Sequence, residues 1–185
     1  MVIFVTVGTG KFEELIKEID RIAPKLKDKI IIQIGSGNYK PKNCKWFKFA
    51  PNLQKYYKQA TLIIAHGGPG TVFEILDTGK KFIACANRDR TDPLHQVEFL
   101  EAISKESTSL LYCRNISQLK TYIEKAKKTK FKKYKKATCW MDMEVKKFIK
   151  LKTKKVNKLN ILLELINNYF TLMKIIIKSG SKNIE

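Results

Sequence analysis

The stretch Leu62–Glu74, with the sequence LIIAHGGPGTVFE, decides the fold of this chain. Its apolar beginning, Leu62–Ala65, predicts a buried strand. The next segment, His66–Gly70, is rich in glycine and predicts a loop whose backbone a ligand can approach closely. A helix predicted from Thr71 would direct free N–H groups and the positive end of its dipole towards that loop, which favours an anion. The stretch fits a phosphate site, although a tight strand-to-helix turn without a ligand has the same pattern.

Apolar, β-branched segments recur along the chain and alternate with amphipathic ones. The predicted strands are Val2–Val7, Ile30–Ile34, Lys45–Phe49, Leu62–Ala65, Phe82–Ala86 and Ser109–Cys113. The predicted helices cover residues 11–23, 51–59, 71–78, 95–103 and 116–128. This alternation indicates a doubly wound α/β domain, in which helices cover both faces of a parallel sheet. Ligands bind at the carboxyl ends of the strands in such sheets, so the glycine loops at Gly8 and Gly67 should face one another there.

The C-terminal part of the chain has a different composition. We expect an α/β domain over residues 1–150 and a lysine-rich, amphipathic helical tail over residues 151–185. Apolar residues recur at helical spacing over Asn157–Lys178, but polar residues interrupt the run too often for a membrane span. This segment could pack in the core or on a partner, or lie along a membrane surface.

The charge of the chain is strongly positive and unevenly distributed. The 185 residues carry a formal net charge of +20. Residues 1–115 hold 18 basic and 12 acidic side chains, a net +6, and residues 116–185 hold 19 and 5, a net +14. A basic C-terminal third indicates a polyanion, either nucleic acid or an anionic membrane, but a general preference for lysine codons would give the same excess. Nearly all of the basic residues are lysines. Lysine is poorly suited to recognise the hydrogen-bonding edges of nucleic-acid bases.

The cysteines indicate neither a metal site nor a disulfide framework. Cys44, Cys85, Cys113 and Cys139 stand far apart in the sequence. Two of them lie in apolar runs, as small core residues do. We expect free thiols in a reducing compartment. The short apolar N-terminus lacks the basic start of a signal peptide.

Several polar residues fall after predicted strands, where a ligand would bind. Both histidines of the chain, His66 and His95, are among them. Glu74 lies one helical turn after Thr71, where a carboxylate can accept two hydrogen bonds from a ribose diol. Gln96 offers amide groups suited to sugar hydroxyls, and Asp92 could do the same or form the turn before a proline. Each of these residues also has an ordinary surface or core role as its alternative.

Three separated motifs together resemble one known family. They are VTVGT followed by KFEELI at residues 5–16, HGGPGT with Glu74, and Asp92 followed by His95-Gln96. Their order and spacing over about residues 1–150 resemble the C-terminal, donor-binding half of glycosyltransferase family 28. The resemblance is stronger to the free-standing small subunits of this family. These include the PssE-like proteins and the catalytic subunit that adds N-acetylglucosamine to dolichol-linked sugar.

The resemblance implies a domain that binds a UDP-sugar as the C-terminal half of a GT-B glycosyltransferase. Glu74 would hold the ribose, the backbone around Phe49 would meet the uracil, and Asp92, His95 and Gln96 would lie in the donor-sugar site. His66 is the candidate for a catalytic or phosphate-contacting side chain. The diphosphate would lie against Gly8, Thr9, Gly67, Gly68, Gly70 and Thr71.

The resemblance also implies that the enzyme has a second part. A membrane-anchored, PssD-like subunit would bind a lipid-linked acceptor and form a heterodimer with this chain at the cytoplasmic face of the membrane. The reaction would be an inverting transfer that needs no cofactor and no essential metal, because backbone N–H groups stabilise the departing diphosphate. The alternatives are an inactive regulatory subunit, a basic nucleic-acid-binding module, or a UDP-sugar epimerase.

Overall fold

The computed structural model describes residues 1–89, 94–106, 108–135, 145–147 and 166–167. Residues 1–135 form one compact unit and residues 136–185 a second. In the first unit, the strands are β1 (Val2–Thr6), β2 (Lys29–Gln33), β3 (Lys45–Phe47), β4 (Leu62–His66), β5 (Lys81–Cys85) and β6 (Leu111–Cys113). The α-helices are α1 (Glu13–Ile22), α2 (Gln54–Gln59), α3 (Pro69–Asp77), α4 (His95–Glu106) and α5 (Leu119–Lys128).

The six strands form one sheet in the order β3-β2-β1-β4-β5-β6, and every neighbouring pair is parallel. Consecutive strands are added outwards from β1 on one side and from β4 on the other. The switch point therefore lies between β1 and β4, where the register pairs Thr6 with Ala65. This is the doubly wound arrangement that the alternating sequence pattern predicts, with a crevice at the carboxyl ends of the two central strands.

A separate hydrophobic layer covers each face of the sheet. Helices α1 and α5 pack on one face through side chains such as Leu15, Ile19 and Ile123. Helices α2, α3 and α4 pack on the other through side chains such as Ile75 and Leu100. The central strands alternate between the two layers and are buried on both faces, which explains their continuous apolar sequences.

The helix and strand boundaries differ from the predicted ones for local reasons. Helix α2 begins at Gln54 rather than at residue 51, because Asn52 accepts the Gln54 N–H at 2.7 Å and forms a side-chain turn first. The predicted helix over residues 116–128 opens with a 3₁₀ turn, Ile116–Gln118, which the Asn115 side chain caps. Strand β3 is an exposed edge strand, and strand β6 is two residues shorter than predicted.

The second unit is described only at two short places, and both are helical, at residues 145–147 and 166–167. Most of the predicted tail over residues 151–185, and Cys139, lie outside the described residues. Within the described residues, no helix combines the length and apolar character that crossing a membrane requires.

Candidate functional site

The ring of His66, the last residue of β4, lies against two glycine loops. A Cβ atom on Gly8 would stand 2.8 Å from the ring atom Cε1, and one on Gly68 would stand 2.6 Å from Nε2. Carbon atoms do not approach a ring this closely, so the ring keeps its position only if both residues are glycine. Gly8 also has φ +68, a conformation that glycine adopts at little cost. The predicted meeting of the loops after β1 and β4 is confirmed at His66.

The N-terminus of α3 forms the anion-favouring part of this site. The helix begins at Pro69 rather than at the predicted Thr71, with Gly68 as its N-cap and no side chain capping it. The N–H groups of Gly70 and Thr71 in the first turn have no partner within the helix. A Cβ atom on Gly70 would meet nothing within 4 Å, so the first turn faces open space. Free N–H groups and the helix dipole beside this space suit a phosphate.

Gln96 joins the loops that follow β4 and β5. Its side-chain Oε1 accepts the Gly67 N–H at 3.1 Å and the Asn87 N–H at 2.9 Å. Gln96 is only 4% exposed. A Cβ atom on Gly67 would stand 2.6 Å from Leu100 of the same helix, so α4 packs directly beneath the glycine loop. The carbonyl end of Gln96, which the family resemblance places at the donor sugar, is engaged in holding the two loops together.

Asn87, two residues after the end of β5, is a site residue that none of the sequence motifs indicates. Its side chain is buried, donates to the Lys11 carbonyl at 2.8 Å and accepts the Asp89 N–H at 3.1 Å. These bonds connect the loop after β5 with the loop after β1. An asparagine at the end of a buried strand was the only signal for it in the sequence.

A third loop supports the glycine loop after β1 from the side of β2. The Thr6 hydroxyl donates to the buried Gln33 amide oxygen and accepts the Gly8 N–H at 3.2 Å. The backbone of Gly35 passes so close to the loop that a Cβ atom there would stand 2.1 Å from the Gly10 carbonyl oxygen. Side-chain and backbone contacts thus fix the conformation of Gly8 from several directions.

Glu74 lies on the exposed face of α3 and accepts a hydrogen bond from the Gln54 side chain at 3.3 Å. This bond links α3 to the N-terminus of α2. The buried hydroxyl of Tyr57 in α2 has no hydrogen-bond partner. Burial raises the pKa of this hydroxyl, and the negative charge of Glu74 raises it further. The Glu74 carboxylate is accessible to a ligand lying over α3.

The remaining predicted site residues are exposed where the structure describes them. Phe49 is 54% exposed shortly after β3, and Thr9 and His95 are also exposed, after β1 and at the start of α4. Asp92 lies outside the described residues. Among the side chains that are described, no group of histidine, cysteine, aspartate and glutamate is placed to hold a metal ion.

The sequence of the chain matches a known protein family. The profile of the glycosyltransferase family 28 C-terminal domain matches residues 2–152. The chain belongs to this family. The resemblance carried by the three sequence motifs is thereby confirmed, and the two glycine loops and the α3 N-terminus lie within the matched region of this family 28 domain.

Two relatives of this family 28 domain have the same name. The UDP-N-acetylglucosamine transferase subunit ALG13 of Homo sapiens is 29% identical over 124 residues, which are 60% of this chain and 11% of the human protein. The subunit of that name from Candida albicans is 33% identical over 79 residues, which are 42% of this chain and 25% of that protein. The family 28 domain thus spans a small part of both relatives.

The fold itself also occurs in solved glycosyltransferases. The crystal structure of the glycosyltransferase of kitacinnamycin superposes with a TM-score of 0.51 over 69% of this chain and 35% of that one, at 17% sequence identity. At this identity the likeness concerns the fold alone. It confirms the predicted doubly wound architecture as that of a GT-B glycosyltransferase half.

Proposed function

We propose that this family 28 domain is the donor-binding, catalytic subunit of a two-component glycosyltransferase. It would take a sugar, N-acetylglucosamine or another hexose, from its UDP derivative and transfer it to a lipid-linked acceptor. The observation that carries the proposal is the meeting of the loops at Gly8 and Gly68 on the ring of His66, beside the open N-terminus of α3. The relatives named as UDP-N-acetylglucosamine transferase subunits support this donor and a partner.

The proposed reaction is an inverting displacement. An acceptor hydroxyl oxygen forms a bond to the anomeric carbon as the bond to the diphosphate oxygen breaks, and the hydroxyl proton passes to a base. N–H groups of Gly70 and Thr71 would stabilise the negative charge that develops on the departing UDP, so that the step needs no essential metal. His66 would contact the phosphates, or take part in the proton transfer. The base itself would belong to the acceptor-binding partner.

The partner would be a membrane-anchored, PssD-like subunit, forming a heterodimer with this chain. The proposal therefore places the chain at the cytoplasmic face of a membrane, held there by the partner. The net charge of +20 supports a location beside anionic lipid. The predicted amphipathic tail would supply either the partner contact or the membrane contact.

Titration calorimetry with UDP and 2′-deoxy-UDP tests the donor site through Glu74. Because a ribose diol gives the carboxylate two hydrogen bonds, the wild-type chain should bind UDP about tenfold or more tightly than the deoxy form. Glu74→Ala should lower this ratio to near one. Glu124→Ala, which removes an exposed carboxylate on α5, is the matched control and should keep the ratio.

The same titrations with UDP-N-acetylglucosamine, UDP-glucose, UDP-galactose and UDP-glucuronate identify the donor sugar. They are done with and without the acceptor-binding partner. If no UDP compound binds even to the assembled pair, the donor assignment is wrong. Strong, salt-sensitive binding of DNA or RNA in its place would favour the alternative, a basic nucleic-acid-binding module.

In the reconstituted pair, an unchanged kcat/KM of His66→Ala would remove the role given to that ring.

A further inference from the structure

Two buried polar side chains, Thr6 and Gln33, lie beside the glycine loop that follows β1. They are the last residues of β1 and β2, and the register of the sheet pairs them with one another. Thr6 is 0% exposed and Gln33 is 4% exposed. Interior strands of a parallel sheet are otherwise almost continuously apolar, so a polar pair at this place needs a physical reason.

The hydrogen bonds of this pair form a chain with a fixed direction. The Thr6 hydroxyl donates to the amide oxygen of Gln33. Because a hydroxyl has only one hydrogen, the same oxygen can only accept from its other neighbour. That neighbour is the Gly8 N–H, at 3.2 Å. Gln33 therefore orients the Thr6 hydroxyl, and the hydroxyl in turn holds the Gly8 N–H.

Gly8 is a residue for which such a bond matters greatly. It has φ +68, and glycine can leave this conformation for many others at little cost. The bond to Thr6 removes part of that freedom, and so keeps Gly8 against the ring of His66. Since the Gly8 N–H is engaged by Thr6, Gly8 contributes the shape of the loop rather than a hydrogen bond to a ligand.

The pair lies on the face of the sheet that α3 covers. Phe4 and Ile31, two residues before Thr6 and Gln33 in their strands, pack in the layer with α2, α3 and α4. Side chains two positions apart in a strand point to the same face, so Thr6 and Gln33 point to this face as well. The pair and the anion-favouring N-terminus of α3 are thus on the same side of the sheet.

We propose that Thr6 and Gln33 are positioning residues for the diphosphate of the UDP-sugar donor. The inference rests on the proposed function and extends it to two side chains that are given no contact with the donor. Through Gly8, the pair orders the loop after β1 before the donor arrives. A ligand that meets an ordered loop does not have to order it, and therefore binds more tightly. Uridine lacks the diphosphate, so its binding should not depend on the pair.

Thr6→Val is the decisive variant, because it removes the hydroxyl and keeps the branched shape of the side chain. The full ¹⁵N-labelled chain is titrated with UDP and with uridine, at a temperature at which wild type and variant are both folded. We expect the variant to bind UDP about tenfold more weakly and uridine within about twofold of wild type. Thr6→Ser keeps the hydroxyl, so it should keep the UDP affinity even where the lost methyl group lowers the melting temperature.

Thr78→Val is a matched control. The Thr78 hydroxyl donates to the Ile75 carbonyl at 2.6 Å and accepts the N–H of Lys80, two residues further on, at 3.2 Å. It is thus bonded like the Thr6 hydroxyl, next to another glycine of positive φ, Gly79 at +66. Thr78 lies at the C-terminal end of α3, whereas the donor site lies at the N-terminal end. The control should keep the affinity for UDP.

Gln33→Met tests the order of the chain of bonds. It removes the acceptor of the Thr6 hydroxyl and should weaken UDP binding by no more than Thr6→Val does. The double variant should bind UDP as Thr6→Val does, because both changes act through the same hydroxyl.

Four results would each overturn the positioning role. They are equal UDP affinity in Thr6→Val and wild type, an equal loss of UDP and uridine affinity, a loss in Thr6→Ser as large as in Thr6→Val, and additive losses in the double variant. A wild-type chain that binds no UDP, alone or in the assembled pair, would instead overturn the proposed function and this inference together.

Discussion

At the scale of single residues, alanine substitutions at two glycines can be compared. The comparison distinguishes the energetic cost of a left-handed backbone conformation from the cost of displacing the His66 ring. Gly8 and Gly79 have nearly the same φ, +68 and +66. A Cβ atom on Gly8 would collide with the His66 ring, and one on Gly79 would meet nothing within 4 Å. Alanine at either position pays the same left-handed backbone penalty, about 1–2 kcal/mol. Only the alanine at position 8 must also displace the ring.

We therefore expect Gly8→Ala to lower the free energy of unfolding by more than Gly79→Ala does. The additional loss should be about 1–3 kcal/mol, the usual cost of forcing atoms into a packed space. Urea unfolding measures both variants, and the ¹H–¹³C shifts of the His66 ring should change only in Gly8→Ala. Equal losses and an unshifted ring in both variants would show that Gly8 does not confine His66.

Residue-scale contacts are also where the sequence was least informative. The glycine pattern at 66–70 predicted a loop and a helix start, since both follow from local conformation. The role of Gln96 depends on two N–H groups that are 29 and 9 residues away, and the Asn87 side chain reaches a carbonyl 76 residues away. Such pairings arise only when the strands are placed side by side. No local periodicity indicates them.

At the scale of elements, α1 holds the connection between β2 and β3 through one carboxylate. Asp20 is 3% exposed and accepts the N–H groups of Lys42 and Asn43 and the Tyr39 hydroxyl. Burial is the largest single influence and raises the pKa of Asp20, but these hydrogen bonds together lower it below its usual value. The ionised form of Asp20 therefore stabilises the fold.

This lowered pKa predicts how stability depends on pH. A carboxyl whose pKa is lower in the folded chain contributes its full stabilisation above its unfolded pKa, about 3.9, and loses it as the pH falls through the folded value. At pH 7 we expect Asp20→Asn to lower the free energy of unfolding by about 1–3 kcal/mol. The difference from wild type should shrink below about pH 4.

Urea unfolding between pH 2.5 and 7 measures this effect, with Asp89→Asn as the control. Asp89 is 75% exposed and pairs with an exposed lysine, so its loss should change stability by less than about 0.5 kcal/mol. A wild-type advantage over Asp20→Asn that stays constant down to pH 2.5 would contradict the assignment.

The elements themselves were largely predictable, for a physical reason. Strands such as β1 and β4 lie in the middle of a parallel sheet, so both of their faces are buried and their sequences are continuously apolar. Edge strands lack this signal, and β3 and β6 are the two whose predicted lengths were most in error. Helix α3 begins two residues before the predicted Thr71, because Pro69 suits the first helical position although its glycine neighbours give it the sequence of a loop.

At the scale of the whole molecule, the first compact unit contains the complete sheet and both hydrophobic layers. Its last segment, after α5, still contributes to them: Phe131 packs on the layer with α1 and α5, and Tyr134 lies 5.8 Å from the Phe73 ring. The Lys132 N–H also donates to the Thr108 carbonyl at 3.3 Å. We therefore expect the first unit to fold on its own when this segment is present, and to have a lower free energy of unfolding without it.

Two truncated chains test this. A chain ending at residue 135 should unfold cooperatively in urea and bind UDP with the affinity of the full chain, since every described donor-site residue precedes that point. A chain ending at residue 128 loses Phe131 and Tyr134, and the exposure of apolar surface should lower its free energy of unfolding by about 1–3 kcal/mol relative to 1–135. If the 1–135 chain shows no cooperative transition, or gives no heat with UDP under conditions where the full chain does, the second unit is required for the first to fold or to bind. Equal stability of the two truncated chains would mean instead that the segment after α5 does not support the core.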